Sequence, residues 1–147
     1  MSAVKKRTRA RELALQFLYQ IDLLGPAVLS ELRAFLREEE TDAEAVQYAQ
    51  RIVEGVTAQR DEVDAVITQV AQNWRIHRMA VIDRNVLRIG AWELLYEPDV
   101  PPKVSINEGI ELGKRFSTAN TGAFVNGILD KVRQIAHDRA AAAEGAD

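Results

Sequence analysis

The side chains best suited to chemistry in this 147-residue chain are cations and aromatic rings. Residues 5 to 11, KKRTRAR, place five cations and no acid in one short stretch. They run directly into Ala14, Phe17, Leu18, Ile21 and Leu24, spaced as one buried helical stripe, which predicts a first helix over about Arg9 to Leu24. Cations at a helix N-terminus oppose the macrodipole, at a few tenths of a kcal/mol each, and so call for a counter-charge from outside the helix. Free N–H groups flanked by Arg and Lys form an anion site, and Tyr19, eight residues beyond Arg11, adds a ring on roughly the same face. Charge beside a stacking ring suits single-stranded RNA, where stacking contributes about 1–3 kcal/mol per base. The competing reading is a frayed, solvated basic tail with Tyr19 half-buried at the core edge.

A second pair of cations lies in MAVIDRNVLRIGAWELLYE, Met79 to Glu97. On a helix, Ile82, Val86, Ile89 and Trp92 form one apolar face and Leu87, Ala91 and Leu94 another, a pattern that predicts burial. Arg84 and Arg88 occupy the remaining gap one turn apart and repel each other unless an anion sits opposite. That anion is either an internal carboxylate such as Glu108 or Glu111, or a phosphate or an acidic side chain of a partner.

Catalytic constellations are missing. His77 and His137 lie far apart and neither has a metal-ligand spacing such as HExxH. The sequence holds no phosphate-cradling Gly loop, no GxSxG elbow and no cysteine, which excludes thiolate catalysis, thiolate metal sites and disulfides. The many carboxylates read as caps and solvated faces. The chain is therefore expected to work by binding, not as an enzyme, and to need no cofactor or metal.

Hydrophobic residues make up 47% and charged residues 28%, a balance that predicts one globular domain spanning 1–147. No apolar run approaches the roughly 18–20 residues that cross a bilayer, and the basic N-terminus lacks the apolar core of a signal peptide, so a cytoplasmic location away from membranes is expected. The net charge of -3 hides an asymmetry: Glu31 to Asp64 carries ten acids against four arginines. A basic arm, residues 1–11, on an acidic body points to local anion capture rather than general adhesion to nucleic acid.

The elements that must position these residues read as helices. Gly25-Pro26 ends the first, and Leu29, Leu32, Phe35 and Leu36 turn the second inward. Thr41 and Glu44 suggest a capping box for one long helix continuing to Val70 and bent near Gly55. Trp74 sits in a short connection as an expected core anchor, and PDVPP after Glu97 predicts a rigid loop. Ser105 and Glu108 suggest a second capping box for a helix over Ile106 to Phe116, with Gly109 and Gly113 allowing a close helix contact. The polar loop STANTG precedes a last helix through Ile135, and the Ala-rich tail 138–147 is expected to fray. No strand alternation or internal repeat occurs, so the expected fold is all-α with about seven helices.

Three blocks, ARELALQFLYQIDL, VIDRNVLRIGAWELL and PPKVSINEGIELGKRFSTANTGAFVNGILDKV, together resemble the transcription antitermination factor NusB family from about Lys6 to Val132. The resemblance implies two packed helical bundles. It also implies binding to the boxA element of nascent ribosomal RNA together with the ribosomal protein NusE, and loading onto RNA polymerase with other Nus factors. Carried over position by position, it places RNA contact on Lys6, Arg7, Arg9, Arg11, Tyr19, Arg88 and Phe124, and the NusE surface at Asp83, Arg84 and Asn120. Thr8, Ala123 and Asn120 each lack a charge that the family pattern can carry, which predicts low RNA affinity without the partner. Two other readings compete: a helical protein–protein adaptor that never touches RNA, and a homodimer that covers the arm.

Overall fold

The computed structural model describes residues 2–118 and 120–145. Among the described residues seven α-helices follow in order: α1 Ala3–Leu24, α2 Leu32–Glu39, α3 Ala43–Ala58, α4 Arg60–Val70, α5 Val81–Tyr96, α6 Pro102–Phe116 and α7 Thr121–Gly145. Short 3-10 turns at Pro26–Glu31 and Ile76–Arg78 complete the order, and the described residues contain no strand. The chain divides into two compact units, Met1–Gln59 and Arg60–Asp147.

In the first unit α1 packs on α3, with α2 against both. Leu13, Ala14, Phe17, Leu18 and Ile21 of α1, Leu32 and Leu36 of α2, and Ala45, Ala49, Ile52 and Val53 of α3 are buried. Phe17 and Phe35 meet at 5.3 Å between ring centroids. Helix α1 begins about six residues before the expected Arg9, because the Ser2 side chain caps it by accepting the Lys5 N–H at 3.3 Å. The arm is therefore the first two turns of a helix. Gly25 stops α1 at φ 96°, a conformation that L side chains rarely adopt, while its N–H donates to the Ile21 carbonyl.

The cap of α3 is Asp42 rather than the expected Thr41: its carboxylate accepts the Ala45 N–H at 3.0 Å. Two residues before this cap, the Glu40 carboxylate accepts the N–H groups of Thr41 and Asp42, both at 3.0 Å. The single long helix expected through Val70 is interrupted at Gln59, four residues beyond Gly55.

The second unit has the central helix that the two-faced apolar pattern predicts: every residue of α5 from Asn85 to Glu93 is buried. Helices α6 and α7 pack on α5 and on each other, and α4 closes against α5 and α7. The key contact is Leu129 of α7, fully buried between two glycines. A Cβ at Gly90 of α5 would stand 2.5 Å from its Cδ1, and one at Gly109 of α6 would stand 2.9 Å away. Glycine lets both backbones close on this leucine, which offsets its helix-propensity cost of about 1 kcal/mol. Gly113 makes a similar approach to Thr121, as the sequence spacing predicts.

Helix α6 starts at Pro102, with its rigid φ already helical, so Ser105 is a buried interior residue and not the expected cap. Helix α7 continues to Gly145, past the residue 138 at which the tail is expected to fray. Its last turns are exposed, consistent with intrinsic alanine propensity rather than packing. Arg139 reaches from this extension to Glu62 of α4 at 2.6 Å.

Candidate nucleic-acid interface

Two of the arm's five cations, Lys6 and Arg9, meet carboxylates inside the first unit. Lys6 Nζ lies 3.3 Å from Glu44 and 3.6 Å from Asp42. Arg9 donates through Nε to Glu40 at 3.0 Å and through Nη2 to the Glu39 carbonyl at 3.0 Å. Arg11 is 1% exposed, whereas Tyr19 is 37% exposed, so the two do not share a face as the eight-residue spacing suggested. The cations that oppose the α1 macrodipole thus find the acids around the α3 N-terminus, more than thirty residues away in sequence.

Arg7 is different. Its guanidinium stacks over the Tyr48 ring, with Cζ 4.4 Å from the centroid, and the residue is exposed. Tyr48 is 8% exposed, so its ring serves as a fixed support for the cation. Lys5 is also exposed. Within this unit Arg7 and the Tyr19 ring are the most accessible of the residues expected to contact RNA, and Lys5, which shares the basic stretch with Arg7, is accessible as well. Arg7 and Tyr19 are separated by roughly 18 Å along the helix axis.

The clamp that holds the arm depends on pH. Glu40 is held below its ordinary 4.5, first by the Asp42 N–H and then by Arg9. Asp42 is held below its ordinary 3.8, first by the Ala45 N–H. Lys6 is raised above 10.5, chiefly by its hydrogen bond to Glu44. For the two lowered carboxyls the stabilisation is present above their unfolded values and is lost as pH falls through the folded ones. Thermal melts are therefore expected to be flat for these groups from pH 7 to 5 and to fall below about pH 4, with Glu40→Gln flattening part of that fall.

In the second unit Arg88 finds its anion in Asp64 of α4, not in Glu108 or Glu111. Nε and Nη2 donate to the two carboxylate oxygens at 2.8 and 3.0 Å, and Nη1 donates to Asn85 Oδ1 at 3.1 Å. The Arg88 side chain is 5% exposed. The guanidinium expected to contact RNA is thus a structural tie between α4 and α5. Arg84 donates from Nη1 to the His77 carbonyl at 3.3 Å and so fastens the connection before α5.

Asp83, Asn120 and Phe124 come together. They line a pocket of about 360 Å³ with Trp74, Arg78 and Thr118 among its other walls. The Thr121 hydroxyl sits at the junction, 3.4 Å from Asp83 Oδ1 and 3.1 Å from Ser117 Oγ, tying the start of α5 to the α6–α7 loop. Trp74 is no core anchor: it is 58% exposed and meets Phe124 edge-on, with centroids 5.3 Å apart and planes at 68°.

This geometry, exposed cations beside supported rings on an all-helical frame, agrees with the family comparison. The NusB family model matches residues 8–134. The chain belongs to the NusB family of transcription antitermination factors. The transcription antitermination protein NusB of Anaeromyxobacter sp. (strain Fw109-5) is 52% identical over 128 residues, covering 86% of this chain and 89% of the relative. That of Myxococcus xanthus (strain DK1622) is 49% identical over 130 residues, covering 86% and 93%. Among solved structures, T. maritima NusB superposes with a TM-score of 0.76 at 36% identity, covering 87% of this chain and 90% of that one. A chain from a crystal structure of antitermination factors NusB and NusE in complex with dsRNA superposes at 0.79 with 26% identity, covering 89% and 98%.

Of the positions that resemblance to NusB assigns to RNA, the fold leaves Arg7 and Tyr19 exposed and Phe124 half-buried at a pocket, keeps Lys6 and Arg9 half-buried against acids, and buries Arg11 and Arg88. The stretch that sequence reasoning took for a mere connection with a core anchor is Trp74 to Arg78. Its signal was a tryptophan among Gln72, Asn73, Arg75, His77 and Arg78, with no apolar stripe to bury it.

Proposed function

We propose that the protein is a non-catalytic cytoplasmic adaptor that binds boxA RNA of nascent ribosomal RNA transcripts together with NusE and helps to assemble the antitermination complex on RNA polymerase. The observation that supports joint binding is the pocket of the second unit. Phe124, assigned to RNA, lines it beside Asp83 and Asn120, assigned to NusE. A partner protein and an RNA that meet at one pocket stabilise each other on the surface, a coupling that is reciprocal by linkage. In the first unit Lys5 and Arg7 supply charge for phosphates, and Tyr19 offers a ring to an unpaired base.

The protein-only adaptor reading has one observation in its favour: Lys6 and Arg9 are already neutralised by the chain's own carboxylates. Titrating a boxA oligonucleotide at several salt concentrations, with and without NusE, separates the two. If about four to six phosphates are neutralised, log K against log salt has a slope near -3 to -4, with tighter binding when NusE is present. No binding in either arm, or a slope near zero, selects the protein-only adaptor.

A further inference from the structure

We infer that Trp74 is a base-stacking residue, its indole packed edge-to-face with Phe124 and offering a face to one unpaired RNA base at the mouth of the Asp83–Asn120 pocket. The inference rests on the RNA-binding reading above and adds to it a residue that the resemblance did not assign.

The first ground is exposure: an indole left 58% in water, while the chain's other tryptophan, Trp92, is 4% exposed. The second is ring geometry. At 68° between planes Trp74 and Phe124 pack edge to face, which engages one ring's face and the other's edge and leaves π surface open to a third ring. The third is rigidity. The Trp74 N–H donates to the Ala71 carbonyl and the Arg78 N–H to the Arg75 carbonyl, each at 2.9 Å, while Arg84 holds the His77 carbonyl. A ring on a fixed backbone loses little freedom when a base stacks on it.

Charge and size favour a nucleotide over a peptide. Arg75, His77 and Arg78 are exposed within four residues of Trp74, and the stretch from Trp74 to Arg78 contains no carboxylate. An aromatic interleaved with cations serves a base and its phosphates together. The pocket volume of about 360 Å³ lies near the lower end of small-molecule sites, roughly 300–1,000 Å³, and suits one planar ring system. Asp83 and Asn120 add hydrogen-bonding groups on its wall.

The test uses the full chain labelled with 5-fluorotryptophan, which gives two fluorine resonances assigned through Trp74→Phe. A dye-labelled single-stranded boxA RNA is titrated with and without NusE, following anisotropy and the fluorine spectrum together. The Trp74 resonance is expected to shift with the same midpoint as the anisotropy while Trp92 stays in place. Trp74→Ala is expected to weaken RNA binding by about 5- to 150-fold without changing the thermal melt, and Trp74→Phe to recover part of the loss. RNA binding that leaves the Trp74 resonance still, or an affinity indifferent to Trp74→Ala, overturns the inference while the RNA-binding reading stands. A Trp74 shift caused by NusE alone, with none added by RNA, assigns the ring to protein contact and also overturns it. Absence of RNA binding in every arm defeats the RNA-binding reading and the inference with it.

Discussion

Replacing Asp64 with alanine is expected to destabilise the protein by about 3–5 kcal/mol, because it breaks the bidentate pair of a buried guanidinium that holds both carboxylate oxygens. The effect is asymmetric. Arg88 is 5% exposed at its side chain and Asp64 22%, so removing the acid takes a two-pronged carboxylate from the more deeply buried charge, whereas Arg88→Met leaves a carboxylate that water can reach. Asp64→Ala is therefore the costlier change, lowering Tm on the order of 10 °C for a chain of this size, with Arg88→Met well short of that. Denaturant or thermal melts check the order. A variant Arg88→Met that melts as the parent does but no longer binds RNA would return Arg88 to the interface.

The second large effect concerns the arm, where the structure changes which substitutions are informative. Lys5→Gln combined with Arg7→Gln is expected to weaken boxA binding on the order of tenfold at low salt and to flatten the salt slope by about 1.4, or about 0.7 for each lost phosphate contact. The melt should move little, since Lys5 is exposed and the Arg7–Tyr48 stack contributes about 0.5–1 kcal/mol. Arg9→Ala and Arg11→Ala behave differently. Arg9 is the partner of Glu40, and Arg11 is buried, so each substitution lowers the stability of the first unit whatever happens to RNA. Replacing Arg7, Arg9 and Arg11 together would confound binding with folding.

Apolar periodicity carried most of the fold. The stripe from Ala14 to Ile21, the doubly apolar α5 and the Gly109/Gly113 spacing all report packing that repeats along one helix, and the structure follows them. Helix ends were harder to read, because capping turns on single side chains. Ser2 starts α1, Asp42 rather than Thr41 starts α3, and Pro102 rather than Ser105 starts α6. Hardest of all were charge partners distant in the sequence. Arg9 with Glu40 and Arg88 with Asp64 are 31 and 24 residues apart, and no local pattern marks them. That is why Arg11 and Arg88, two of the expected RNA residues, are buried and Lys6 and Arg9 are paired within the chain, while Trp74, with no stripe to bury it, was misplaced in the core.

A photocrosslinking map of boxA RNA on the NusE-bound protein tests the central claim most directly. The account predicts crosslinks in the first turns of α1, at Tyr19, and around Phe124 and Trp74, fading as salt is raised. Crosslinks confined to the mixed-charge outer face of α3, at Gln50, Arg51 and Glu54, or none at any salt, would contradict it.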